Sequence, residues 1–186
     1  HPKRNYQIGR LERDRLLKAC KESNQPFLYI VVVLALSTGA RRMEIMSLTW
    51  DVVDLNRGMA ILNETKNDER RALPITGHAL ELLKKLSKVK RLDTKLLFPR
   101  SDGQKPIELR SAWDKAISVS QIEDFRFHDL RHSAASYLAM NGATLAEIAE
   151  VLGHKTLQMV KRYAHISEQH TADVVSRMNK KIFGGG

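Results

Sequence analysis

Tyr163 stands close in the chain to His154, Lys155, Lys161, Arg162 and His165. A phenol has a pKa of about 10, so only about one in a thousand is ionised at neutral pH. Nearby cations favour the phenolate, and a nearby base can take its proton. A tyrosine so placed is equipped to attack an electrophile that carries negative charge. The plainer use of the same residue is a ring packed in a core with its hydroxyl hydrogen-bonded, and a lone tyrosine more often has that role.

Three other segments bear on the choice. Thr38-Gly39-Ala40-Arg41-Arg42-Met43-Glu44 sets an arginine just after a glycine at a helix start. Lys66 lies in the polar connection of a hairpin. Phe127-His128-Asp129-Leu130-Arg131-His132-Ser133 spaces His128 and Arg131 by three, which on a helix is one face. Singly, each has an ordinary explanation: Arg41 in a surface pair with Glu44, Lys66 solvated at a hairpin tip, His128 capping a helix or sitting in a core, Arg131 as a surface cation. Together they suit a phosphodiester passing through a pentacoordinate transition state. Its non-bridging oxygens gain negative charge, which two guanidinium forks, Arg41 and Arg131, can clamp. Preorganised donors of this kind each lower a barrier by about 3–4 kcal/mol. Tyr163 then supplies the nucleophile and a neutral His128 accepts its proton. Lys66 protonates the departing 5′ oxygen, and His154 adds a hydrogen bond to the phosphate.

The elements that must position these groups are mostly helical. Residues 10–23 place Leu11, Leu16, Leu17 and Cys20 mostly on one face. Pro26 suits the opening of a second helix that runs to Ser37, where Thr38-Gly39 breaks it. A short third helix carries Arg41 to Leu48. The period then changes. Val52-Val53, Met59 to Leu62 and Arg71 to Ile75 read as strands, with Asn56-Arg57-Gly58 as a turn and Pro74 marking an edge. The connections are too short for parallel crossovers, so the sheet is antiparallel. Helices return over residues 78–90, 108–118, 128–140 and 145–152, then around Tyr163, then over 168–181. Leu96-Leu97-Phe98-Pro99 anchors the long loop between the first two of these. The expected fold class is mainly α with a small three-stranded antiparallel β-sheet.

Bulk composition narrows the partner. The chain has 186 residues, enough for one domain with a real core or at most two small ones. Lys plus Arg number 31 against 21 Asp plus Glu, a formal charge of +10 that calls for an anionic partner. Aromatic residues are only 6%, few for a base-stacking single-strand binder, so a duplex backbone is the better partner. Cys20 is the single cysteine, which excludes an internal disulfide or a cysteine-built zinc site and suits a reducing cytosol. The longest apolar run, residues 27–36, falls short of the ~20 residues a membrane span needs. Residues 1–9 read as a linker stump, 10–183 as the folded domain and 184–186 as a frayed tail.

The motifs, in this order, resemble the catalytic domain of the tyrosine recombinases, the phage integrase family. The matching segments are Thr38-Gly39-Ala40-Arg41, Thr65-Lys66, His128-Asp129-Leu130-Arg131-His132-Ser133, Leu152-Gly153-His154 and Tyr163-Ala164-His165. The resemblance implies that Arg41 and Arg131 are the arginine pair, Lys66 the hairpin lysine, His128 and His154 the two histidines and Tyr163 the nucleophile. It implies cleavage of one DNA strand at a time, a 3′-phosphotyrosyl link and a free 5′-hydroxyl, with no metal, cofactor or ATP. It also implies double-stranded DNA as partner, a homo-tetramer on paired sites for full-length members, an N-terminal core-binding domain not found in this sequence, and a phage or mobile-element enzyme working in a bacterial cytoplasm. Arg42 is left to DNA backbone contact or a structural pair. Val160 stands where many relatives carry threonine, a change that bears on packing of the tyrosine segment.

Rival readings are a helix-turn-helix module formed by residues 145–154 and the basic helix after them, a metal-dependent nuclease or hydrolase using His128, His132, His154 and His165, and type IB topoisomerase-like cutting and rejoining. The apolar residues Ala172, Val174, Val175, Met178, Ile182 and Phe183 form a stripe that either packs on its own domain or docks on a neighbouring protomer.

Overall fold

The computed structural model describes residues 7–64 and 69–184. The chain divides by its contacts into two compact units, His1–Ser133 and Ala134–Gly186.

The first unit is built on α2 (Leu28–Thr38), whose residues 31–35 are all buried. A helix apolar all round has to be central, and α1 (Arg10–Lys21), α3 (Arg42–Met46) and α4 (Gly77–Ser87) pack on it, with α5 (Arg110–Ser120) against α1. Gly39 ends α2 at φ 69°, the left-handed region that side chains with a Cβ avoid. That turn sends the chain into α3 with Arg41 at its cap.

A 3-10 turn, Trp50–Val52, leads into the antiparallel sheet of β1 (Val53–Asp54), β2 (Met59–Glu64) and β3 (Glu69–Pro74), in that spatial order. Pro74 is on an edge strand, as the missing N–H requires. Register pairs Ala60 with Leu73 and Leu62 with Arg71. The strand period of two therefore turns Arg71 and Leu73 inward, where both are buried, and leaves Arg70 and Ala72 exposed. In the long loop, Leu97 and Phe98 are buried, and Phe98 meets Phe27 edge-on at 5.5 Å. Ile8, in the stretch read as a linker, is 1% exposed, and its N–H donates to Ser133 Oγ over 3.1 Å. Burial pushes the Cys20 thiol up to about 12, which makes it an inert core residue.

α6 (Asp129–Met140) begins in the first unit and ends in the second. There α7 (Leu145–Leu152) has both ends written in sequence: Thr144 and Glu147 form a reciprocal capping box, and Gly153 closes it at φ 69°. A 3-10 helix, Leu157–Tyr163, runs directly into α8 (Ala164–Phe183). The core of this unit is Ala135, Ala139, Ile148, Ala149, Leu152, Val160 and Tyr163. Ser167 Oγ donates to the Ala143 carbonyl over 3.4 Å, tying the start of α8 to the α6–α7 loop. No residue of α8 is buried.

Candidate active site

Three of the six expected residues meet in the first unit. Arg131, in the first turn of α6, is 4% exposed, and its Nη1 donates to the Gly39 carbonyl over 2.7 Å. Two residues beyond that carbonyl is Arg41. His128 stands one residue before α6, not on it, and its carbonyl accepts the N–H of Arg131 over 3.1 Å. It is fixed from the other side by an edge contact of Phe127 on Trp113 at 5.1 Å and by the Arg126 N–H, which donates to Asp129 over 2.8 Å. The His128 ring also meets His132 edge-on at 5.1 Å.

The electrostatics agree with the geometry. His128 keeps an exposed edge, yet partial burial lowers its pKa below the ordinary 6.5. Arg131 lowers it further and Asp129 opposes, while Arg41 adds a smaller push downward. Both arginines therefore act on one imidazole, and the imidazole is neutral at neutral pH, the state a base needs. An NMR titration of the His128 Cε1 proton should show a midpoint below 6.5, and Arg41→Gln, which removes a like charge, should move it up. A midpoint unmoved by that substitution would separate Arg41 from His128.

Arg41 holds its place through Glu44. The carboxylate accepts the Arg41 backbone N–H at 2.7 Å and its Nη1 at 3.3 Å, while the Arg41 side chain remains 41% exposed. The same carboxylate takes both Nη groups of Arg71, at 3.1 and 2.9 Å. Burial acts to raise the Glu44 pKa, but the Arg71 hydrogen bonds, the Arg41 backbone bond and the two positive charges outweigh it and hold the carboxyl below its ordinary value. The surface pair of Arg41 and Glu44 is present, and so is a third partner that sequence reasoning missed. The usable signal was the strand period: with Leu73 and Ile75 facing the core, Arg71 has to face it too.

Lys66 falls outside the described residues. His154 and Tyr163 belong to the second unit. The His154 N–H donates to the Ala149 carbonyl over 2.8 Å in the closure of α7, which leaves the residue half-buried. Residues three apart eclipse in a 3-10 helix, so Val160 and Tyr163 share one side and enter the core, at 0% and 5% exposure. Lys161 and Arg162 are exposed, as is Arg42 at the start of α3. An open cleft of about 550 Å³ in the first unit, lined by Trp50, Asp51, Ile61, Asn63, Arg70 and Lys90 among others, includes neither Arg41 nor Arg131.

Residues 10–170 match the phage integrase family. The chain belongs to that family. Among its members, the shufflon-specific DNA recombinase of Escherichia coli is 35% identical over 164 residues, which cover 88% of this chain and 41% of that one. The chain thus spans less than half the length of this relative. The solved catalytic domain of bacteriophage HP1 integrase superposes with a TM-score of 0.71 at 27% identity, covering 95% of this chain and 96% of that domain. XerH recombinase, solved on its palindromic difH substrate after cleavage, has the same fold, with a TM-score of 0.74 at 23% identity over 91% of this chain and 52% of that one. The phage integrase fold of these proteins agrees with the helical architecture and three-stranded antiparallel sheet expected from sequence. Among the described residues, no helix is long and apolar enough to cross a membrane.

Proposed function

We propose that this chain is the catalytic part of a site-specific DNA recombinase, with residues 10–183 as the catalytic domain. The carrying observation is that Arg41, distant in sequence from the neighbouring pair His128 and Arg131, acts with them on one locus of the first unit. In this reading a DNA phosphate is clamped by the two guanidinium forks. The Tyr163 hydroxyl attacks phosphorus, His128 takes its proton, and the bond to the 5′ oxygen breaks as Lys66 protonates it. His154 donates to a non-bridging oxygen. The products are a 3′-phosphotyrosyl ester and a 5′-hydroxyl. The ester keeps the energy of the original linkage, so rejoining to another 5′-hydroxyl needs no ATP. A XerH structure captured on DNA after cleavage supports DNA as partner, as does the charge of +10.

The test uses a pool of nicked duplexes of randomised sequence, in which the short strand below the cut diffuses away and traps the covalent state. A detergent-stable protein–DNA adduct, mapped by mass spectrometry to Tyr163, is the expected result. A folded protein that forms no adduct with any member of the pool would overturn the reading. A repressor of helix-turn-helix type forms none.

The full-length enzyme is proposed to act as a homo-tetramer on paired sites, in the cytoplasm of a bacterial host. The far half of α8 fits such an assembly, since Val174, Val175, Met178, Ile182 and Phe183 are 43–79% exposed. Truncation after Thr171 keeps Ser167 and the partly buried Ile166 on the core. It should leave melting unchanged and abolish higher-order complexes on duplex DNA, as measured by light scattering after size exclusion. A truncated protein that assembles normally would show that the stripe has another use.

A further inference from the structure

A buried arginine outside the expected set needs an explanation. Arg71 is 9% exposed, on the inward side of β3. Charge in such a place costs several kcal/mol unless it is paired with good geometry. Its partner is Glu44, held end-on through both oxygens at 3.1 and 2.9 Å. What Glu44 has left for Arg41 is a backbone bond and one long side-on contact at 3.3 Å.

We propose that Arg71 is a positioning residue that occupies the open end of the Glu44 carboxylate and so keeps the Arg41 fork available to a phosphate. The inference rests on the recombinase reading, in which Arg41 clamps the scissile phosphate. Its logic is competition. Arginine prefers a carboxylate in a parallel, two-bond arrangement. Without Arg71, both Glu44 oxygens are open to the nearest cation, which is Arg41, and a two-bond pair there withdraws the fork from DNA. With Arg71 in place, the three groups sum to one positive charge and that charge is Arg41's to offer. Glu44 then acts as a tether on Arg41 and not as its counter-ion.

This arrangement predicts suppression. Rates of adduct formation are measured at saturating concentrations of a nicked duplex recovered from the pool, with DNA affinity and melting recorded beside them. Arg71→Met should slow adduct formation by about a hundredfold, the scale of a misplaced catalytic group, with little change in affinity. Adding Glu44→Gln removes the carboxylate that captures Arg41 and should bring the rate back to within about tenfold of the parent, a coupling of ordinary size for touching residues. A purely structural Arg71 predicts the opposite, a double variant no faster than Arg71→Met, and that result overturns the proposal. So does Arg71→Met cleaving at the parent rate. Should Arg71→Met melt below the assay temperature, Arg71→Lys decides: it keeps the charge but cannot span both oxygens, so slower cleavage is expected and parental cleavage refutes the idea. A parent protein that forms no adduct would instead remove the recombinase reading itself.

Discussion

Tyr163→Phe is expected to abolish the covalent DNA adduct completely while shifting stability by only about 1 kcal/mol, the ordinary worth of one hydroxyl's hydrogen bonding. The two effects separate because the ring and the hydroxyl have different tasks. The ring, 5% exposed, fills the space between Ala135, Ile148, Leu152 and Val160 in the core of the second unit. Phenylalanine keeps that volume. The hydroxyl is the only atom of the side chain that can bond to phosphorus, so its loss leaves no slower version of the same reaction. Tyr163→Ala would be a poor substitute. Deleting a buried aromatic ring costs about 3–5 kcal/mol, and a missing adduct could then reflect an unfolded unit. The measurement is a denaturing gel of nicked duplex with parent and variant, beside their melting curves. An undiminished adduct from the phenylalanine protein would move the nucleophile to another residue and end the role assigned to Tyr163.

Much of this molecule is written locally in its sequence, and the parts that are not share a physical cause. α7 falls on residues 145–152 as expected because both ends carry their own signals, the capping box at Thr144 and the left-handed Gly153. The hairpin is legible for a similar reason, since Asn56-Arg57-Gly58 forces a turn and Pro74 cannot donate to an inner strand. α8 begins at Ala164, four residues before the expected Glu168, because no side chain caps it and the 3-10 helix feeds straight in. Nothing in the local pattern marks that junction. The division after Ser133 is hidden because it falls inside a continuous helix, where neither composition nor a turn changes. At the candidate site, residue type and order singled out Arg41, His128 and Arg131, which the first unit brings to one locus. The pairing of Arg71 with Glu44 was not legible: the strand period turns Arg71 inward, but nothing local names a partner on α3, 27 residues away in the chain.

Arg131→Lys should slow adduct formation by about 10²–10³-fold, the cost of losing one preorganised donor to a developing negative charge. Lysine keeps the charge, so a deficit of this size isolates geometry from Coulomb attraction. One arm of the Arg131 fork is committed to the Gly39 carbonyl at 2.7 Å, which fixes the guanidinium plane beside the turn that presents Arg41. An ammonium has no plane to fix. It can satisfy Gly39 or reach a phosphate from that position, but it cannot hold the two in a set relation. If it leaves the carbonyl, a buried acceptor loses its partner, at about 1–3 kcal/mol of stability. If it stays, the phosphate loses its donor. Both routes lower the rate, and melting distinguishes them: a stable slow variant has kept Gly39, and a destabilised slow variant has abandoned it. Arg131→Ala is less informative because it removes charge, donor and carbonyl partner together. Single-turnover rates at saturating nicked duplex are the deciding measurement. Cleavage by Arg131→Lys at the parent rate would mean that the fork is a structural brace for the Gly39 turn, and the phosphate clamp would then have to be built without it.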